Sequence, residues 1–275
     1  MGSITHLKPA CVLVTPIYRN TLEPLESFSL DYSLSILKPW PHVFIAPQSL
    51  ETQSYHLTYP EAKILRFPDY YFASIKGYNQ LMLSQEFYSH FCNFEFLLLL
   101  QTDAIILRDD LAHWCEQPYD WIGAPWPNGQ TYTIHTDLFR TTPKKVHTHV
   151  GNGGLSLRRI QKCQRLLKEF PESVAHFLEN SIFEDLFFSV IGTQAPYFAV
   201  PNERTAALFS VELQPEFYFQ LNQTLPMGGH AWWRYNLDFW LQHLTKVPPP
   251  DTLASCTPHP SKPSLTARIR KLFQH

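Results

Sequence analysis

The residues that could do chemistry are few in this chain, and they stand in four places. Asp103 follows a run of apolar residues, Phe96 to Leu100, and the pair Gln101-Thr102. A carboxylate where a buried strand ends lies at the carboxyl edge of a sheet, where open α/β folds bind ligands. It is costly there unless solvated, paired or bound to a metal. Capping the next turn or pairing with an arginine would serve as well. Glu184 and Asp185 interrupt the aromatic segment Ser181 to Phe188. Such carboxylates can accept a proton from a reacting hydroxyl, or they can be first-turn acids favoured by a helix dipole. His230 stands between Gly228-Gly229 and Trp232-Trp233, placed equally for a ligand or a packing role. His135, His147 and His149 invite a metal reading, since His147 and His149 would share one strand face; solvated loop histidines are the competing reading. Five of the ten glycines, at 151, 153, 154, 228 and 229, fall in two of these stretches. Glycine serves where a backbone needs unusual dihedrals or close approach to a ligand.

The elements that must position these residues alternate. Ala10 to Val14 reads as a buried strand ending in Thr15-Pro16-Ile17-Tyr18, and Leu22 to Leu37 as a helix closed by Lys38-Pro39. His42 to Pro47 and Lys63 to Phe67 read as strands, and Tyr71 to Phe91 as a helix with Lys76, Tyr78 and Asn79 near its start. The uninterrupted apolar run before Gln101 suits a strand buried on both faces. Alternation of this kind implies an α/β fold with parallel strands joined by right-handed crossovers. Trp121 to Pro125 reads as a further strand, residues 126 to 147 as a long polar loop over a site, and residues 150 to 158 as a glycine-rich turn leading into a helix. Pro226 to Gly229 reads as a flexible turn.

Composition narrows the function classes. At 275 residues with 44% hydrophobic residues the chain can bury a sizeable core. A formal charge of -2 gives no electrostatic footprint for nucleic acid, and no apolar run reaches the roughly 20 residues of a membrane span. Five scattered cysteines without a C-x-x-C pair suit reduced thiols, and with them a cytoplasmic setting. Neither phosphate-binding glycine loop, G-x-x-x-x-G-K-[ST] or G-x-G-x-x-G, is present. Residues 247–275 are proline-rich and read as a flexible tail. Its end, Leu265 to Phe273, could form a short basic amphipathic helix with weak peripheral membrane contact.

The order of these features resembles GT-A-type glycosyltransferases. Tyr78-Asn79-Gln80-Leu81-Met82, Gln101-Thr102-Asp103, Trp121 to Trp126, Gly151 to Arg158, Glu184-Asp185, Phe209 to Glu212 and Pro226 to Trp232 are similar to a glycosyltransferase-like family catalogued mainly as a domain of unknown function. The likeness covers about residues 10 to 243. It implies a GT-A-like fold over residues 1–246, with a mostly parallel sheet, a nucleotide-donor half at about 10–125 and an acceptor half at 126–246. It implies transfer from a nucleotide-diphosphate sugar, UDP-sugar favoured, to a hydroxyl on a glycan, lipid-linked or peptide acceptor. Mn2+ or Mg2+ would be held by Asp103 and His230, although Gln101 replaces the first acid of the usual D-x-D motif. Thr15, Pro16, Tyr18, Tyr78, Asn79, Gln101 and Thr102 would meet the nucleoside and Lys76 the phosphates. Asn152, Gly153 and Gly154 would meet the donor sugar. Asp185, with Glu184 as alternative, would act as general base in an inverting transfer. A binding module that has lost catalysis and a metal-dependent hydrolase or nucleotidyltransferase are the rival readings.

Overall fold

A computed structural model describes residues 11–134 and 143–254, with the backbone alone at Ala254. Its centre is a six-stranded sheet built from β1 (Cys11–Pro16), β2 (His42–Pro47), β3 (Lys63–Phe67), β4 (Phe96–Leu100), β6 (Trp121–Ile134) and β7 (Lys144–Arg159). The order is β3-β2-β1-β4-β7-β6. The first four strands run parallel, and β7 runs against both β4 and β6. A smaller sheet sets β5 (Ala104–Ile106), β9 (Gly228–His230) and β8 (Ser210–Val211) side by side.

Among the described residues, twelve α-helices surround the sheets. Before β7 come α1 (Pro24–Ile36), α2 (Gln53–Thr58), α3 (Ile75–Met82), α4 (Gln85–Ser89) and α5 (Leu111–Glu116). Beyond β7 come α6 (Ile160–Glu169), α7 (Pro171–Glu179), α8 (Glu184–Gly192), α9 (Glu203–Phe209), α10 (Pro215–Asn222), α11 (Leu237–Leu241) and α12 (Pro250–Ala254).

β4 explains the layering. All five of its residues are fully buried, because helices cover both faces of a mostly parallel sheet. Leu97 and Leu99 join the core that holds Met82, Phe87, Leu166 and Phe187. Phe96, Leu98 and Leu100 join the opposite core with Leu30, Trp114 and Phe209. β1 and β4 are neighbours from which the strand order runs outward in both directions, so their carboxyl ends border the crevice where such sheets take ligands.

Three expected elements differ. Residues 126 to 147 are no long loop: their described part forms the arms of an antiparallel ribbon, with Gln130 opposite Thr148 and Thr133 opposite Lys145. Residues 150 to 158 are no turn, since β7 continues through them, with its register against β6 shifting between Asn152 and Leu157. The helix expected over 71 to 91 breaks at Leu83-Ser84, where the Ser84 hydroxyl accepts from the Phe87 amide and starts α4. His135 and the tail beyond Ala254 lie outside the described residues.

Candidate active site

The pairing of β5 with β9 decides the site. Ala104 lies opposite His230 and Ile106 opposite Gly228, so the residue before β5 meets the last residue of β9. His230 Nε2 is 3.1 Å from Asp103 Oδ1 and 3.1 Å from Gln101 Oε1. On its other ring nitrogen, Nδ1 is 3.7 Å from Glu212 Oε2. Arg234 Nη2 reaches Asp103 Oδ2 at 3.2 Å. Burial alone would raise the Asp103 pKa, but His230 and Arg234 outweigh it and hold the carboxyl low, at about 2. Burial likewise opposes charge on His230, yet Asp103 and Glu212 raise it to about 10.

Gly228 and Gly229 make this pairing possible by close packing rather than flexibility, which corrects the expected flexible turn. A Cβ at Gly229 would sit 2.1 Å from the Trp240 ring, and one at Gly228 would sit 2.4 Å from the Ile105 carbonyl oxygen. Gly154 does the same on β7: its Cβ would fall 2.1 Å from His230 Nε2. The glycine pair expected to face a donor sugar therefore admits the His230 ring on one side and the start of α8 on the other.

The acid pair at that start divides its labour. Glu184 accepts from both Nη1 and Nη2 of Arg158, at 3.1 and 2.9 Å, and Arg158 is fully buried. Breaking such a pair strands a buried charge, so both oxygens of Glu184 are committed to Arg158 within the fold. Asp185 accepts instead from the Gly153 and Leu186 amides at 3.2 and 2.7 Å. Burial and the adjacent Glu184 carboxylate push its pKa up to about 8.

The remaining candidates separate. Tyr78 accepts from Gln101 Nε2 at 3.3 Å, and Asn152 Oδ1 accepts from the Gly154 amide at 3.4 Å, so both border the His230 cluster. Asn79 is turned to the Glu184 amide, at 3.3 Å, and helps start α8. Thr15 is buried and shares a 3.0 Å hydrogen bond with His42 Nε2, while Pro16 is buried at the end of β1. The Thr102 hydroxyl donates to Glu26 Oε1 at 3.1 Å. These contacts leave the hydroxyls of Thr15 and Thr102 engaged within the protein. Tyr18 and Lys76 are exposed. Glu212 and Arg234 are site residues that the sequence reading missed. Glu212 closes an apolar stretch within one of the motifs; Arg234 carries no signal beyond its nearness to His230.

Among the described residues no three His, Cys, Asp or Glu side chains gather to hold a metal by themselves. The donors at the His230 cluster still fit a hard ion shared with a ligand. Neighbouring ligands of an octahedral ion at about 2.1 Å stand about 3 Å apart, so a cation would take the place of the proton that now joins His230 Nε2 to Asp103 Oδ1 at 3.1 Å. Glu212 faces the far ring nitrogen at 3.7 Å, an ion-pair separation wider than the hydrogen bond by which a carboxylate commonly orients a ligating imidazole.

The profile of the family described as "Protein of unknown function (DUF5672)" matches residues 61–230. The chain belongs to this family. The DUF5672 region contains Tyr78, Gln101, Asp103, Asn152, Asp185, Glu212 and His230, and leaves β1 and Arg234 outside. No curated protein matches the sequence. Among solved structures, the galactosyltransferase LgtC in complex with donor and acceptor sugar analogs is similar at 13% identity and TM-score 0.52, over 88% of this chain and 99% of that one. An active-site mutant of LgtC is similar at 12% identity and TM-score 0.50, over 80% and 86%. This DUF5672 chain thus has the mixed α/β fold of GT-A-type glycosyltransferases. No helix among its described residues is long and apolar enough to cross a membrane.

Proposed function

We propose that this protein is a glycosyltransferase that moves a sugar from a nucleoside-diphosphate sugar to an acceptor hydroxyl. The observation that carries the reading is the convergence of two aspartates on the Gly153-Gly154 backbone. Gly154 admits the His230 ring that pairs with Asp103, the Gly153 amide donates to Asp185, and the two carboxyls are tuned in opposite directions. Environments that push two carboxylates apart mark one for charge and the other for proton transfer.

Asp103 and His230 would hold a divalent cation, Mn2+ or Mg2+, together with the diphosphate. Such an ion neutralises charge on the leaving phosphates. Arg234, exposed beyond its contact with Asp103, can turn from the carboxylate to the same phosphates. Tyr18 offers an exposed ring to a base, and Lys76 an exposed ammonium group to the phosphates. On the acceptor side Asp185, once ionised, takes the proton of the attacking hydroxyl. The new bond forms between that oxygen and the anomeric carbon, the bond to the phosphate oxygen breaks, and its electron pair leaves with the diphosphate. Direct displacement of this kind inverts the anomeric centre. A UDP-sugar donor and a glycan, lipid-linked or peptide acceptor are the partners this reading favours.

Gln101 supports a second reading, a sugar-nucleotide-binding module without catalysis, because it faces His230 and brings no charge to the cation. One experiment divides the two. Nucleotide sugars are screened for thermal stabilisation with and without Mn2+, and the stabilising donor is then assayed for transfer or hydrolysis. Mn2+-dependent stabilisation that Asp103→Asn abolishes, with turnover, is the expected result. Binding without turnover on any acceptor class would favour the module, and no response to any nucleotide sugar would sink both readings.

A further inference from the structure

A second cluster lies on the ribbon and takes no part in the chemistry above. His147 and His149, two apart on β7, bring their Nε2 atoms within 3.2 Å of each other. His147 Nδ1 shares a 2.8 Å hydrogen bond with the Thr131 hydroxyl, on the residue opposite it in β6. His149 Nδ1 is buried and lies 3.2 Å from Glu203 Oε2 at the start of α9. That carboxylate is fixed in turn: the buried Tyr218 hydroxyl donates to Glu203 Oε1 at 2.7 Å. The far ring nitrogen of His147 is hydrogen-bonded and that of His149 faces a carboxylate, while the two near nitrogens share a hydrogen bond whose proton a bound cation would replace.

We propose that His147 and His149 chelate a borderline divalent transition ion of the zinc, nickel and copper class, with Thr131, Glu203 and Tyr218 as positioning residues. Two imidazole nitrogens bound tetrahedrally at about 2.0–2.1 Å stand about 3.3 Å apart, close to the observed separation. Imidazole suits zinc, nickel and copper. A carboxylate beside the non-ligating nitrogen keeps the proton there and leaves the Nε2 lone pair free for the metal. Space is reserved for the rings as well. Gly129 has φ of +63°, and a Cβ there would meet His147 Nε2 at 2.3 Å, so any other residue would be strained and would crowd the ligand. With two protein nitrogens, the ion keeps positions open to water or an exogenous ligand. The cluster stands apart from the oxygen-rich surroundings of Asp103, which suit a hard ion.

The test uses the full, untagged chain in buffer holding excess Mn2+, titrated with ZnCl2 by calorimetry. Copper EPR of the same protein then serves as a structural readout. The expected result is one zinc per chain, with affinity weakened at least about tenfold by either His147→Ala or His149→Ala and kept in His230→Ala. Loss of an orienting group commonly weakens a metal roughly 10–100-fold, so Glu203→Gln should show a loss in that range. The copper spectrum should carry hyperfine splitting from two nitrogens, reduced to one in either histidine variant. Zinc binding unchanged in the His147→Ala/His149→Ala double variant, or abolished by His230→Ala alone, would overturn the assignment.

Discussion

Asp103 and Asp185 lie at the same edge of the sheet, yet the two regions around them are electrostatic opposites. Asp103 meets the imidazole of His230 and the guanidinium of Arg234, and its carboxyl is held at about 2. Asp185 has a carboxylate for a neighbour and two amides for partners, and it rises to about 8. The strong cation on that side, Arg158, is committed to Glu184. Burial raises both acids; what differs is the sign of the charge beside each. A carboxylate that must stay ionised is given cations, and one that must pick up a proton is denied them.

The strongest way to break that contrast is Asp185→Asn. If Asp185 is the base, transfer should fall roughly 10²–10⁴-fold while donor binding, measured by calorimetry, stays within about twofold. An Asp185→Asn enzyme that turns over normally would remove Asp185 from the mechanism. The stereochemistry belongs to the same test: proton NMR of the product should show inversion, and retention would exclude direct displacement.

Arg158 tests the other half of the acid pair. Arg158→Met leaves Glu184 buried without its partner and should cost about 3–5 kcal/mol in urea unfolding. The double variant Arg158→Met/Glu184→Met should recover most of that loss. A single variant as stable as the parent would mean that Glu184 is not structurally committed.

The contrast also has a pH signature. Asp185 must be ionised to act as a base, so kcat/KM should climb about tenfold per pH unit below the raised pKa of about 8 and level off above it. Stability runs the other way. The unfolded chain releases this proton near the ordinary value of 3.8, whereas the folded protein keeps it to about 8. Between those values the native state binds more protons, and stability falls as pH rises. Asp185→Asn should therefore match the wild type near pH 4 and gain on it toward pH 8. Parallel urea midpoints for the two proteins across that range would refute the shift.

Gln101→Asp should sharpen the contrast least. It adds a charge next to His230 and Asp103 and restores an acid at the first motif position. Mn2+ affinity in the presence of nucleoside diphosphate should rise about tenfold, the order of one extra charge at intermediate dielectric. Unchanged Mn2+ affinity would place the ion away from Gln101.

Much of the parallel half of the sheet was legible because local pattern and fold agree there. Phe96 to Leu100 announces a doubly buried strand, and Asp103 just beyond it sits at the sheet edge as expected. Tyr78, Asn152 and His230 also converge with it. The ribbon was not legible. Pro127, Asn128, Gly129 and the threonines around them read as loop residues, and they masked the alternation of Tyr132, Ile134, Val146 and Val150, which buries one face of the ribbon in the core. Gly151, Gly153 and Gly154 misled in the same way, since a glycine in a strand leaves no side chain to show which face is buried.

The sequence alone determined the four parallel strands of the core, which acid stands at the end of one of them, and where side chains had to be absent. It did so through hydrophobic runs and glycine placement, both of which are local. The tertiary structure alone decided the partners: Glu184 with Arg158, 26 positions apart, and His230 with Gln101, 129 positions apart. The charge state of each aspartate follows from those partners. A pKa is set by the charges and dielectric within a few ångströms, and folding chooses those neighbours with no regard to their distance along the chain.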